Sequence, residues 1–334
     1  MPTSAGIAAG HDASSPGELL RHAELALADA KRQGGGCWRP FVEELAHTRD
    51  VDSVALEADL RRAIASGEME VAFQPIMRLK NGTVAGFEAL LRWAHPEKGL
   101  VEPSDFIAHS EQSGSIVELG RFALEQATIE LARWQKHFPL DPPLTASVNL
   151  SKRQLQDDAF EPLLSRVLSG GIAPGTLKLE LTETAVGGID DPAARLERLK
   201  AAGAGLAIDD FGTGLSAFSQ LKDLPFDTLK IDKSFLARSI EGNGDGGSIL
   251  RSIVSLAHEL KMTVVAEGVE TARDAHWLRD IGCEFAQGYY FSPPLPRAEA
   301  LAFIARHHGA DEAQTPLGVA GVGGEAGDID SQTA

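Results

Sequence analysis

Cysteine is nearly absent from this chain: two residues in 334, Cys37 and Cys283, with no CxxC pair. That excludes a disulfide framework or a thiolate zinc cluster as an organising device, and it suits a reducing cytosol. Positive charge is also scarce. With 31 Lys and Arg against 48 Asp and Glu, the formal net charge is −17. The basic clusters that grip a nucleic-acid backbone are missing, so no nucleic-acid polymer is expected as a partner. An anionic nucleotide substrate stays compatible with this charge if metal neutralises its site. The opening MPTSAGIAAGHDASS lacks a charged segment followed by an apolar one, which argues against a signal peptide. No uncharged apolar stretch approaches the length of a membrane span. Together these absences predict a cytoplasmic protein with no membrane segment in this chain.

What is present is a globular composition, 43% hydrophobic, long enough for one large domain and an appendage. Three zones separate. Residues 1–45 hold a strand-like SAGIAAG and one amphipathic helix in PGELLRHAELALADAKRQGGG, stopped by its glycine run. Residues 311–334 are rich in Gly, Ala, Asp and Ser without apolar periodicity and read as a disordered tail. Residues 46–310 alternate strand and helix patterns. EVAFQPI and TVAGFEALLRW flank Asn81-Gly82, a hairpin signal. Strand patterns follow at 144–150, 176–182, 205–210, 227–232, 262–267 and 284–290, with helical ones between, including a short helix near 216–222. Repeated strand–helix units imply a parallel sheet. About eight strands in about 250 residues predict an α/β fold, a (β/α)8 TIM-like barrel, with one antiparallel strand in the opening hairpin.

The strand ends share a grammar. Apolar runs end in an acid, amide or lysine: Glu88, then Asn149, then Glu180 with Glu183. Asp209-Asp210, Lys230 with Asp232, Glu267 with Glu270 and Gln287 continue the series. In such barrels the chemistry sits at the carboxyl ends of the strands. Carboxylates converging on one rim require positive charge, and hard divalent cations take oxygen ligands. Each element has an ordinary alternative. An Asp-Asp-Phe-Gly run is often a turn, Asn149 before Ser-Lys can cap a helix, and Glu180 and Glu183 can serve a structural ion pair. His95 and His109 end no strand in this pattern and read as surface or capping residues. The conjunction of six successive strand ends outweighs these readings.

Those residues carry a resemblance. FQPI (73–76), EALLRW (88–93), NLS (149–151), ELTET (180–184), DDFGTG (209–214), LKIDKSF (229–235), AEGVE (266–270) and QGYYF (287–291) resemble, in order, the signature blocks of EAL-domain phosphodiesterases, which hydrolyse cyclic di-GMP to linear pGpG. The resemblance spans about residues 50 to 308 and implies two Mg2+ or Mn2+ ions per active site. Glu88, Asn149, Glu180 and Asp209 would hold one; Asp209 would bridge to a second held with Asp210 and Glu267. Lys230, Glu267 and Glu88 would be catalytic, with Lys230 beside the attacking water and able to take a proton if its pKa is depressed by the metals. Gln74, Arg92, Gln287 and Pro294 would contact substrate, Arg92 at a phosphate. Glu183, Asp232 and Glu270 would support the loops.

The N-terminal zone resembles the last strand and helix of a GGDEF diguanylate cyclase domain. The GG[DE]EF loop is absent, so this piece makes no cyclic di-GMP, and the resemblance implies a fragment of a longer protein with upstream sensory or GGDEF regions. Leu215 and Phe218 depart from the residues usual after DDFGTG. With Leu221 and Leu224 they form an apolar cluster beside the Asp pair, which predicts a C2 homodimer. A non-catalytic cyclic di-GMP receptor, and a barrel enzyme acting on another phosphoester, are the competing functions. A crowded acidic rim repels itself without metal. Removing Glu88 or Asp209 is therefore expected to leave the metal-free barrel as stable as before, or more so.

Overall fold

The computed structural model describes residues 3–10, 15–32, 36–42, 56–212, 222–236 and 245–308. Contacts divide the chain into two units, Met1–Glu68 with Ser104–Ser115, and Met69–Pro103 with Ile116–Ala334. In the first unit, β1 (Ala5–Ile7) and β2 (Trp38–Pro40) pair in parallel. The crossover that parallel pairing demands is helix Pro16–Arg32. Leu25, Ala26 and Ala30 are its buried stripe. A side chain on Gly6 would strike the backbone of Ala23 and Leu27, so glycine is what lets strand and helix lie this close. His22 stacks on Phe41 with ring centroids 3.8 Å apart.

The second unit is built on a closed ring of eight strands. β3 (Met69–Arg78), β4 (Val84–His95), β6 (Thr145–Asn149), β7 (Leu177–Thr182), β8 (Gly205–Phe211), β9 (Thr228–Ile231), β10 (Thr263–Ala266) and β11 (Phe285–Ala286) form it. A short β5 (Gly99–Val101) clips onto the end of β4. β3 pairs antiparallel with both β4 and β11 and closes the ring, while the remaining pairings within the ring are parallel. This is the barrel expected from the strand–helix alternation, and β3 is its antiparallel strand.

Period-two alternation sorts side chains between lumen and shell. Leu177, Leu179 and Leu181, then Leu229 and Ile231, face the helical shell and are buried there. Each such leucine contributes roughly 1.5–3 kcal/mol by leaving water. Trp134, from helix Ile116–His137, packs edge-on to Phe73 at 5.0 Å and against Phe87 at 4.7 Å. The alternate positions, among them Lys178, Glu180, Thr228 and Lys230, therefore point inward.

Some expectations are corrected. The 284–290 strand is only Phe285–Ala286; beyond Gln287 the chain turns at Gly288, where a Cβ would strike the Val269 backbone. Asn149 caps no helix. Ser151 does, in a capping box with Gln154 that starts helix Lys152–Gln156, and Asn149 is left free for other work. The expected helix near 216–222, with Leu215, Phe218 and Leu221, lies outside the described residues, and Leu224 is half-buried against the core. Among the described residues no helix is long and apolar enough to cross a membrane.

Gly86 faces β6, and a methyl group there would collide with the side chain and backbone of Thr145. Gly86→Ala is expected to destabilise the barrel by about 1–3 kcal/mol, the range typical of overpacking, read as a lower urea midpoint at unchanged slope.

Candidate active site

The lumen and carboxyl rim of the barrel gather acids from strands far apart in sequence. Lys230, on β9, is 1% exposed. Its Nζ lies 2.6 Å from Glu180, 2.7 Å from Glu267, and 3.3 Å from both Glu88 and Asp209. Glu88 also accepts hydrogen bonds from Asn149 Nδ2 at 2.8 Å and Gln287 Nε2 at 2.6 Å. The Gln287 Oε1 atom is buried without a protein donor. Gln74 stands opposite Glu88 in the β3–β4 register, and Arg92, four residues further along β4, stands opposite Glu70. Arg92 donates to the carbonyl of Leu91. Pro294 is half-buried beside Leu295, which bridges to Phe73.

Strict alternation would send Asp209 and Asp210 to opposite faces of β8. Two local departures bring them together. The β8–β9 register shifts between Ile208 and Phe211, and Asp210 takes a left-handed backbone with φ of 52°. Aspartate tolerates that region better than most residues, and a bulge is a recurrent way to re-aim a side chain. Carboxylate oxygens of Asp209, Asp210 and Glu267 consequently lie within 4.8 Å of one another. Glu183 accepts the N–H of Gly212 at 3.0 Å and ties down the chain just after the pair. Asp232 accepts the N–H of Ser234 at 3.0 Å, and Glu270 is exposed. His95 braces a turn through the N–H groups of Glu97 and Lys98. Neither His95 nor His109 is among these contacts.

Proton affinities follow from this crowding. Burial alone would lower that of Lys230, but Glu180, Glu267, Glu88 and Asp209 together raise it well above the usual lysine value. In the metal-free protein Lys230 is therefore a fixed cation. Burial, Glu88 and Asp209 push the Glu180 carboxyl well up despite Lys230. Burial likewise raises Glu267, to about 7, with Asp209 and Glu88 adding to it and Lys230 opposing. Asp210 is raised by burial and by Asp209 and Asp232. Glu88 goes the other way: burial would raise it, but Lys230, Gln287 and Asn149 hold it below the ordinary value. A raised Lys230 and a raised Glu180 are mutually consistent, since one ammonium cannot neutralise four carboxylates and the cluster retains extra protons. Glu88 raises the proton affinity of Glu180, Asp210 and Glu267 around it, and is itself held ionised by three donors.

The donor set suits hard cations. Three carboxylates converge at one point, a buried amide oxygen beside them has no protein donor, and oxygen ligands of this kind suit hard divalent cations rather than softer metals. Residues 57–294 match the EAL domain. The chain belongs to the EAL domain family. It is 42% identical to an uncharacterized signaling protein of Caulobacter vibrioides over 83% of its own length and 34% of that protein. It is 38% identical to the cyclic di-GMP phosphodiesterase NbdA of Pseudomonas aeruginosa, over 86% of the chain and 36% of that protein. The structure of the PaMucR phosphodiesterase in complex with c-di-GMP superposes with a TM-score of 0.69 at 35% identity, over 74% of this chain and 99% of that one. The chain thus spans only about a third of the curated relatives' length.

The EAL motif's own glutamate, Glu88, and the lysine of LKIDK meet across the lumen of this domain. Lys178 and Thr228 lie one layer below Glu180 and Lys230; nothing in the motif blocks marks them, although each stands two residues before a residue the blocks do mark.

Replacing Lys230 by Met leaves the buried carboxylates without their cation. In the metal-free protein this is expected to cost about 3–5 kcal/mol at pH 8, and less at pH 5.5. The Glu267 carboxyl, raised from 4.5 to about 7 in the fold, favours its protonated form. The stability it confers is complete below about 4.5 and is lost as pH rises through about 7. Without Lys230 that loss deepens. Urea titrations of both proteins in EDTA at the two pH values measure the difference.

Proposed function

We propose that this EAL domain is a metal-dependent phosphodiesterase that hydrolyses cyclic di-GMP to linear pGpG. The observation that carries the reading is the convergence of Asp209, Asp210 and Glu267 within 4.8 Å, beside a lysine touching four carboxylates. Charge counting supports it. With Glu88, Glu180, Asp209, Asp210 and Glu267 all ionised, Lys230 leaves four negative charges, the complement of two divalent cations. In this reading Glu88, Asn149, Glu180 and Asp209 hold one Mg2+ or Mn2+, and Asp209, Asp210 and Glu267 hold the second. When bound, such ions neutralise the phosphate and lower the pKa of a water.

The chain's own residues supply the rest. Hydrolysis forms one P–O bond from water and breaks one to a ribose oxygen, which leaves with a proton. Lys230, a fixed cation, stabilises charge developing on the phosphate oxygens. In this reading Glu267 serves both as a metal-holding and as a catalytic carboxylate. Gln287 is anchored through its amide nitrogen to Glu88, which leaves its oxygen to orient solvent or substrate. Arg92 takes a phosphate, and Gln74 and Pro294 line the groove. Glu183 keeps the Asp209-Asp210 turn in place through Gly212, with Asp232 and Glu270 as further loop supports. Residues 1–45 are read as the last strand and helix of a GGDEF-type domain within a longer cytoplasmic protein. Two free thiols suit that compartment. A homodimer formed beside the Asp pair completes the reading, and light scattering tests it.

Purified protein with Mg2+ or Mn2+ is expected to convert cyclic di-GMP to pGpG, to stop in EDTA, and to be inhibited by Ca2+, which prefers looser and higher coordination. Asp209→Asn is expected to lower kcat by about 10^2–10^3-fold or more, the scale of losing one preorganised charge partner. Tight binding of cyclic di-GMP with no product over hours establishes the receptor reading instead.

A further inference from the structure

The opposite, amino-terminal mouth of the same barrel holds a cavity of about 140 Å³. Its walls are apolar: Ile76, Ala85 and Val265 form a small buried cluster of their own, with Phe285 packed against it. Into this apolar space the fold places two cations, Arg78 and Lys178. Among the described residues neither forms an ion pair. Lys178 Nζ donates to Thr228 Oγ1 at 2.8 Å, and Arg78 donates to the carbonyl of Val84 at 2.6 Å. The carboxylates that act on Lys178 from a distance are Asp227 and Glu180. Both are engaged elsewhere, Asp227 with Lys200 at 2.6 Å and Glu180 with Lys230.

Two unpaired cations in a walled cavity are costly unless an anion meets them. In a chain with 17 more acidic than basic side chains, the carboxylate that lines this cavity, Glu180, is already engaged by Lys230.

We propose that this mouth is a binding site for a small organic monocarboxylate, its carboxylate on Lys178 and Arg78 and its apolar body against Ile76, Val265 and Phe285. Size and polarity select that class. A cavity of about 150 Å³ accommodates benzene, so one aromatic ring or a short branched chain fits. Ile76, Val265 and Phe285 give the organic body of a carboxylate an apolar surface that an inorganic oxyanion cannot use. The thr–lys hydrogen bond fixes the ammonium in place before a ligand arrives, which limits the ordering required on binding.

Benzoate is the probe, titrated calorimetrically into the full chain in EDTA, with benzyl alcohol as the neutral isostere and inorganic phosphate as the plain anion. EDTA, and a parallel titration of Asp209→Asn, remove metal at the carboxyl rim as an alternative site. The expected result is one benzoate per chain, bound at least tenfold more tightly than either benzyl alcohol or phosphate, and unaffected by Asp209→Asn. Lys178→Met is expected to abolish that preference for benzoate over benzyl alcohol. Arg78→Leu, at a half-buried position, makes the same comparison should Lys178→Met not fold. Absence of benzoate binding at millimolar concentration overturns the proposal, as does equal or tighter binding of phosphate. So does benzoate affinity that survives whichever cation substitution folds.

Discussion

The ammonium of Lys230 is the contact on which the rest of this barrel turns. Four carboxylates, on β4, β7, β8 and just past the end of β10, reach it within 3.3 Å. Glu88 sits on β4 and Lys230 on β9, strands separated in the ring order by β6, β7 and β8. Their contact therefore crosses the lumen. It can form only if the ring is closed and narrow, and an eight-stranded ring is just wide enough for side chains to fill it. Closure in turn rests on β3, whose antiparallel pairing with β4 and β11 completes the cylinder. The buried acids that threaten the fold are consequently also what lock its opposite walls together, provided the lysine stays protonated. Its raised proton affinity ensures this.

A buried cluster of this kind contributes little net stability, because desolvation offsets most of the Coulomb attraction. The apolar shell supplies that instead. Trp134, Phe73 and Phe87 on one side and the leucines of β7 on another hold the strands in register, which leaves the lumen free to carry frustrated charge. Strain is spent locally in the same way. The left-handed backbone at Asp210 and the register shift beside it work against the strand, and they are what turn two neighbouring residues toward one point. Strain of this type persists only where the surroundings over-determine it; here the Glu183 carboxylate on the Gly212 N–H supplies part of that support.

Much of this was legible in the residues themselves. Alternating strand and helix patterns point to the barrel, and Asn81-Gly82 marks the hairpin that makes β3 antiparallel. The acids, amide and lysine at strand ends converge because parallel strands in a barrel end on one rim. Four things were not legible. Period-two alternation places Asp210 on the wrong face, since a bulge is a property of the pairing between strands and not of either strand alone. Asn149 reads equally as a helix cap, and only the Ser151–Gln154 box releases it. The sign of the Lys230 shift depends on how many carboxylates reach one nitrogen, a number set by closure of the ring. The 284–290 run reads as strand because of its aromatics, yet Gly288 against the Val269 backbone turns the chain away.

The lumen is ordered by charge along its axis, and this bears on both mouths. On β7 the inward positions run Lys178, Glu180, Thr182; on β9 they run Thr228, Lys230, Asp232. Cations and hydroxyls occupy the amino-terminal layer, a lysine amid carboxylates the middle, and carboxylates the carboxyl rim. Glu180 acts on Lys178 across these two layers, opposing the effect of burial on the ammonium. Fields inside a low-dielectric barrel are weakly screened, and a charge added or removed in the lower layer is felt by the acids one layer up. The acid cluster is thus set from within by Lys230, while the layer below it holds Lys178 and Arg78 beside hydroxyl and apolar side chains.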